Sequence, residues 1–243
     1  MQILRPAVAM IELIFAIVIL GITMMSAPML ISQASSSGIT VLQQEAIAAA
    51  ASELGMIMTR QWDEQDTNET QQSPILVVSS TGHVDLAEAT DADGNLTGRR
   101  AGTPPMSARS FLTSLGGVRF NATAATALGS EGGDDDDIDD FNGNTITLTV
   151  VTATDTQTGD YADTSLQLTI SVNYLLDTPT NNYQQASITY SQPFSQTTNN
   201  TTNIKAVTVT ATSGSHDTEL NTNVVLRAFS CNIGSYTLKE GRF

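Results

Sequence analysis

The chain has 243 residues and a formal net charge of −15 at pH 7, with ten lysines and arginines scattered along it. This length accommodates one globular domain of ordinary size plus an additional segment. Because no basic patch is present to neutralise phosphates, nucleic-acid binding is disfavoured. The one cysteine, Cys231, has no partner within the chain, so the only disulfide open to it is intermolecular.

Residues 1–7 are predicted to be a short leader, and an apolar run begins at its last residue. That run, Ala7–Leu30, holds 24 residues and one ionisable side chain, Glu12. As a helix rising about 1.5 Å per residue, it is long enough to cross a hydrocarbon layer of roughly 30 Å. Arg5 before the run and acidic sequence after it predict a single pass with the N-terminus in the cytoplasm.

Glu12 needs an explanation, because a carboxylate inside an apolar span costs a few kcal/mol unless it is paired. Cleavage after Ala7 would leave Val8 with a free amine close to Glu12. Two staggered helices could then join the carboxylate of one chain to the amine of the next, which would fix their register. The alternative is a simple anchor in which Glu12 reaches the lipid headgroups.

The leader, Ala7, Val8 and the segment Met10–Ile14 resemble the N-terminal region of type IV pilins and of the pseudopilins of type II secretion. In that family the leader ends in Gly or Ala, and the fifth mature residue is Glu. The resemblance covers residues 5–60 and implies cleavage between Ala7 and Val8 and methylation of Val8. The implied partners are other pilin or pseudopilin subunits, a prepilin peptidase and methyltransferase, the inner membrane and, indirectly, an assembly platform and its ATPase.

Gly21 lies where this family commonly has a helix glycine, and Pro28 lies one place before the common helix proline. Together with the weak helix formers in 31–38, these two residues predict a flexible, curved or broken section of helix. Beyond it, apolar residues recur every three or four positions, which predicts an amphipathic helix. We therefore expect one rod over 8–61, roughly 80 Å long, with a membrane or filament-core half at 8–31.

Residues 62–243 are expected to form a periplasmic, β-rich domain, beginning where polar residues 62–68 end the helix. Alternation of apolar and polar residues is clearest in the last hundred residues. The links contain no convincing crossover helices, so the pairing should be antiparallel and the fold class α+β, with one sheet face on the rod. The predicted strands are 74–79, 116–120, 145–149, 165–174, 186–190, 207–211 and 223–229, with a hairpin connection at 154–164 and long loops over most of 80–143.

The acidic loop 131–143 contains six aspartates within seven residues, and their mutual repulsion would be relieved by a hard cation such as calcium. The alternating Asp135, Asp137 and Asp139 are candidate ligands, and Asp91 and Asp93 form a second candidate. The alternatives are a solvated acidic loop and a hairpin-type turn, respectively. Residues 136–143 also resemble a motif in some larger pilin-like proteins of mannose-sensitive-haemagglutinin-type pili.

No residue pattern nominates an enzyme. His83 and His216 lack neighbours at zinc-ligand spacing, and no phosphate-binding glycine loop occurs. The leading hypothesis is a non-catalytic filament subunit, minor rather than major because of its size, in either a pilus or a secretion pseudopilus. The alternatives are a membrane-anchored periplasmic binding domain that never polymerises and a filament-tip adhesin that binds through its Thr- and Asn-rich strands.

Overall fold

The computed structural model describes residues 5–66, 73–79, 82–104, 107, 109–113, 117–129, 134–149, 165–190, 196–213 and 223–234. One long helix, α1 (Arg5–Ile57), is followed by antiparallel β-sheets, so the α+β class is confirmed. Three short 3₁₀ turns lie at Glu64–Asp66, Val84–Leu86 and Asp139–Phe141.

Helix α1 begins before the predicted start at residue 8 and ends short of Gln61. It continues through Pro28 without the break that the sequence suggested. Proline removes one backbone donor, but the turns on either side retain their own hydrogen bonds. Serine and threonine hydroxyls return to backbone carbonyls within these turns, as Thr23 does to Ile19 (3.0 Å). The weak helix formers in 31–38 are therefore accommodated as helix.

Within the described residues, the strands are β1 (Glu88–Thr90), β2 (Leu96–Arg100), β3 (Thr145–Thr149), β4 (Ser165–Leu175), β5 (Thr197–Thr198), β6 (Ile204–Ser213) and β7 (Asn223–Cys231). They form two antiparallel sheets. The smaller is the β1–β2 hairpin, and the larger has the order β3-β4-β6-β7, with the short β5 pairing on β4.

The core lies between the second half of α1 and one face of the larger sheet. Helix residues Ala46, Ala50 and Ile57 are fully buried in a cluster with apolar residues of β4 and β6. Val209 of β6 pairs with β4 on one side and with β7 on the other. Since the helix contacts β6 and β7, it lies over the β7 side of the sheet rather than over its β3 edge.

Two predicted strands are wrong. Residues 74–79 form only a bridge at Val77 to Asn121, and Ile75 is buried under loops rather than in a ladder. Residues 186–190 are irregular, and Ile188 is exposed. Of 116–120, the described residues 117–120 form no strand, and the predicted connection 154–164 lies outside the described residues. The β1–β2 hairpin and β5 were not predicted.

Candidate functional site

The first half of α1 has no covering layer in the described part of the chain. From Met10 to Gly38, every residue whose side chain is described is exposed, including Glu12, Gly21 and Pro28. The helix is long and apolar enough to cross a membrane, and it lies near the N-terminus. Ala7 and Val8 lie in its first turns. An exposed apolar helix of this length is consistent with membrane anchoring.

A second site lies where the chain leaves the helix, against the first residues of β6. Lys205 Nζ, fully buried, donates to the Trp62 carbonyl oxygen (2.8 Å), to Asp63 Oδ2 (2.9 Å) and to Asp139 Oδ1. It also lies 4.1 Å from the Trp62 ring centroid and 5.4 Å from that of Tyr174. Charge pairing and cation–π contacts together compensate for burying the ammonium.

The strand pattern explains why this lysine points inward. Val207, Val209 and Ala211 are the residues of β6 that face the domain core. The two-residue period of a strand places Lys205 on the same face. The pattern was visible in the sequence, but the predicted strand began only at 207. Trp62 and Asp63 were assigned to a polar helix end, and both are buried instead.

Asp63 is held by several donors besides the lysine. Its carboxylate accepts from the Thr123 backbone N–H (2.9 Å), the Thr123 hydroxyl (3.1 Å) and the Gln65 backbone N–H (3.3 Å). The Tyr174 hydroxyl donates to the Thr123 carbonyl oxygen (2.7 Å), which fixes this loop against β4. Both oxygens of the Asp63 carboxyl group are therefore occupied by hydrogen bonds.

Asp137 and Asp139, two of the predicted calcium ligands, are buried in this same region. Asp137 Oδ1 accepts from the backbone N–H groups of Asp139 (2.5 Å) and Asp140 (3.1 Å). Its other oxygen, Oδ2, is buried and has no hydrogen-bond partner among the described residues. Burial raises the pKa of Asp137 to about 8, and the adjacent charge of Asp139 adds to the rise. At neutral pH this carboxyl carries a proton.

The structure does not group the predicted calcium ligands as one set. Asp135 is exposed, whereas Asp137 and Asp139 belong to the buried region around Lys205. The acidic residues whose ligand oxygens lie within 4.8 Å of one another are Asp134, Asp136 and Asp140. Asp140 Oδ2 already accepts the backbone N–H of Asp136 (3.1 Å). Calcium binding by the acidic loop remains a prediction.

Asp91 and Asp93 form the turn of the β1–β2 hairpin. Asp91 Oδ1 accepts from the backbone N–H of Asp93 (3.0 Å) and of Asn95 (2.8 Å), and Gly94 supplies a φ of +85°. The hydrogen bond from the Asn95 N–H is the main reason that the pKa of Asp91 is lowered. The Asp91 carboxylate therefore stabilises the turn in which it lies.

A cavity of about 400 Å³ lies beside the hairpin. Its lining is mostly apolar, with Val77, Leu86 and Phe111 among the wall residues. Arg119 and Glu88 form a two-bond ion pair in the wall, with Nε–Oε2 and Nη2–Oε1 distances of 2.7 Å. These bonds hold the pKa of Glu88 below its ordinary value.

A long apolar N-terminal helix packed on a β-sheet domain gives the protein a pilin-like general shape. Comparison with models of protein families, with curated proteins and with solved structures found no match.

Proposed function

We propose that the chain is a non-catalytic structural subunit of a type IV pilus-like or type II secretion pseudopilus filament, inserted in the inner membrane before assembly. The observation that carries this proposal is the uncovered apolar half of α1, which contains Glu12 and continues as one helix into the sheet-packed half. A plain anchor requires the apolar length but gives no role to the acid.

In this proposal the prepilin peptidase removes residues 1–7, and Val8 becomes the methylated N-terminus. Glu12 then pairs with the amine of a neighbouring subunit as helices leave the bilayer and form the filament core. Repeated head-to-tail contacts extend such a bundle without closing it. The assembly platform and its ATPase supply the energy for moving the helix out of the bilayer. The chain is a minor subunit of the filament, and its β-rich domain faces outward.

The test is replacement of Glu12 by leucine in cells that assemble the filament. Glu12→Leu should insert into the membrane at normal levels, because it removes the polar group from the span, but should be missing from sheared filaments. Glu45→Leu is the matched control, since Glu45 is an exposed acid on the same helix beyond the apolar half. Equal incorporation of both variants would refute the role of Glu12 in register.

The cavity beside the β1–β2 hairpin favours a second candidate, a membrane-anchored periplasmic binding domain. Its apolar wall and the Arg119–Glu88 pair are suited to a small ligand with an apolar body and a polar group. The mature N-terminus separates the two candidates. Peptide mass spectrometry should find methylated Val8 for the filament subunit, whereas an intact Met1 would support the anchor.

A further inference from the structure

The buried site around Lys205 contains more negative charge than one lysine can balance. Asp63, Asp137 and Asp139 are each at most 1% exposed. Among the described residues, Lys205 is the cation that pairs with Asp63 and Asp139, and its charge also acts on Asp137. Such a set cannot be fully ionised in a low-dielectric interior without a large desolvation cost. A proton must therefore be retained among the three carboxyl groups.

We propose that Lys205 and Asp139 condense inside the folded domain to form an isopeptide bond between Nζ and Cγ. The two groups are already in contact, with Nζ 2.5 Å from Asp139 Oδ1 and side-chain exposures of 0% and 2%. This modification does not depend on filament assembly.

Asp139, rather than Asp63, is the partner because the surroundings of the two acids differ. Both Asp63 oxygens already accept hydrogen bonds from Thr123 or Gln65, and Asp63 Oδ2 lies 2.9 Å from Nζ, whereas Asp139 Oδ1 lies 2.5 Å from it. Asp139 lies beside Asp137, whose Oδ1 accepts the Asp139 backbone N–H. The two neighbouring acids disfavour double ionisation, so the retained proton belongs to this pair.

The reaction balances without an oxidant or reductant. The ammonium passes one proton to the Asp139 carboxylate, which gives a neutral amine and a neutral acid. The Nζ lone pair attacks Cγ and forms the C–N bond. Asp137 donates a proton to the departing hydroxyl, the C–O bond breaks and one water leaves. Asp137 then regains a proton from Nζ, leaving the amide.

Burial of Nζ favours the condensation over hydrolysis. The rings of Trp62 and Tyr174 cover Nζ and exclude the bulk water that would reverse the condensation. Groups held in reactive contact reach effective molarities of roughly 10⁵–10⁸ M, which compensates for the low reactivity of a carboxylic acid. The product would join the acidic loop covalently to β6, next to the hydrogen bond from the Ile138 N–H to the Gln61 carbonyl oxygen (3.0 Å).

The decisive experiment is denaturing mass spectrometry of the full chain, purified from membranes in detergent. The wild-type chain should be lighter by one water than the Lys205→Arg chain once the residue difference is subtracted, because leader removal and methylation are common to both. Digestion should yield a branched peptide that contains Lys205 and Asp139. A wild-type chain of full mass would overturn the proposal. A water loss that persists in Lys205→Arg would do the same, because it would indicate an aspartyl succinimide elsewhere.

Asp137→Asn tests the proton donor, with Asp135→Asn as the matched control in the same loop. Asp137→Asn should slow the appearance of the cross-linked mass in newly synthesised chain by about a hundredfold or more, whereas Asp135→Asn, at an exposed position, should leave the rate unchanged. Equal rates in both variants would overturn the role of Asp137.

Discussion

The protonated state of Asp137 predicts how the stability of the domain responds to pH. Its folded-state pKa is about 8, whereas an aspartate in an unfolded chain titrates near 4. Between these values the folded state holds one more proton than the unfolded state. Stability from this group is therefore fully present below about pH 4 and is lost as the pH rises through about 8.

The size of the effect follows from the width of this pH window. Each pKa unit corresponds to about 1.4 kcal/mol, so raising the pH from 5 to 8 should lower the free energy of unfolding by about 4 kcal/mol through Asp137 alone. Formation of the Lys205–Asp139 amide would remove the charges of both Asp139, which raises the pKa of Asp137, and Lys205, which lowers it. It would leave burial, the largest cause of the pKa rise, in place, and so the sign of the effect would not change.

The assay is urea denaturation of the full chain in detergent, followed by the fluorescence of Trp62. This is the only tryptophan in the sequence, and it lies in the buried site itself. The wild-type chain and Asp135→Asn should lose stability steeply between pH 5 and pH 8, and Asp137→Asn should show a shallower slope. Comparing slopes removes any constant effect of the substitution. Parallel profiles for wild type and Asp137→Asn would refute the reasoning.

Two further predictions concern the same region. Relative to newly synthesised wild-type chain, in which the amide has not yet formed, Lys205→Met leaves Asp63 and Asp139 buried without their cation and should lower the free energy of unfolding by about 3–5 kcal/mol, measured by circular dichroism in urea; a loss below about 1 kcal/mol would contradict the pairing. Gly129→Ala combines a φ of +76° with a clash against the Asn142 carbonyl oxygen, whereas Gly143→Ala meets only the backbone strain of φ +85°. The strain costs roughly 1–2 kcal/mol, so Gly129→Ala should lower the melting temperature clearly more than Gly143→Ala, and equal shifts would rule out the close approach.

The larger sheet was predictable because its strands alternate strictly. β4 and β6 bury every second residue against the helix, and such a pattern fixes both the strand and the face that it buries. The apolar run at 74–79 does not alternate in this way. Its pattern therefore does not distinguish burial under loops from burial as a strand paired in a sheet. Strand β1 was missed because Glu88–Thr90 has only three residues, too few to show an alternating pattern.

The acidic loop shows what sequence spacing leaves undetermined. The interpretation of alternating aspartates as one ligand set assumes an extended chain, but the loop enters a 3₁₀ turn at Asp139–Phe141. The turn buries Asp137 and Asp139 and brings Asp134, Asp136 and Asp140 together instead. The most informative sequence signal lies outside the loop, at Lys205. A lysine on the inward face of β6 requires buried acidic partners, but its position does not identify which acids they are.

The position of the Lys205 site also bears on the proposed filament role. A subunit held by its N-terminal helix receives load along that helix, and the load must pass into the β-domain where the helix ends. There the Gln61 carbonyl oxygen accepts the Ile138 N–H, and the Trp62 carbonyl oxygen accepts a hydrogen bond from Lys205. Lys205 belongs to β6, which is paired on both sides, so force would enter the sheet at an inner strand. An amide between Lys205 and Asp139 would tie the acidic loop to that strand at the same point, which is where a pulled subunit needs covalent reinforcement.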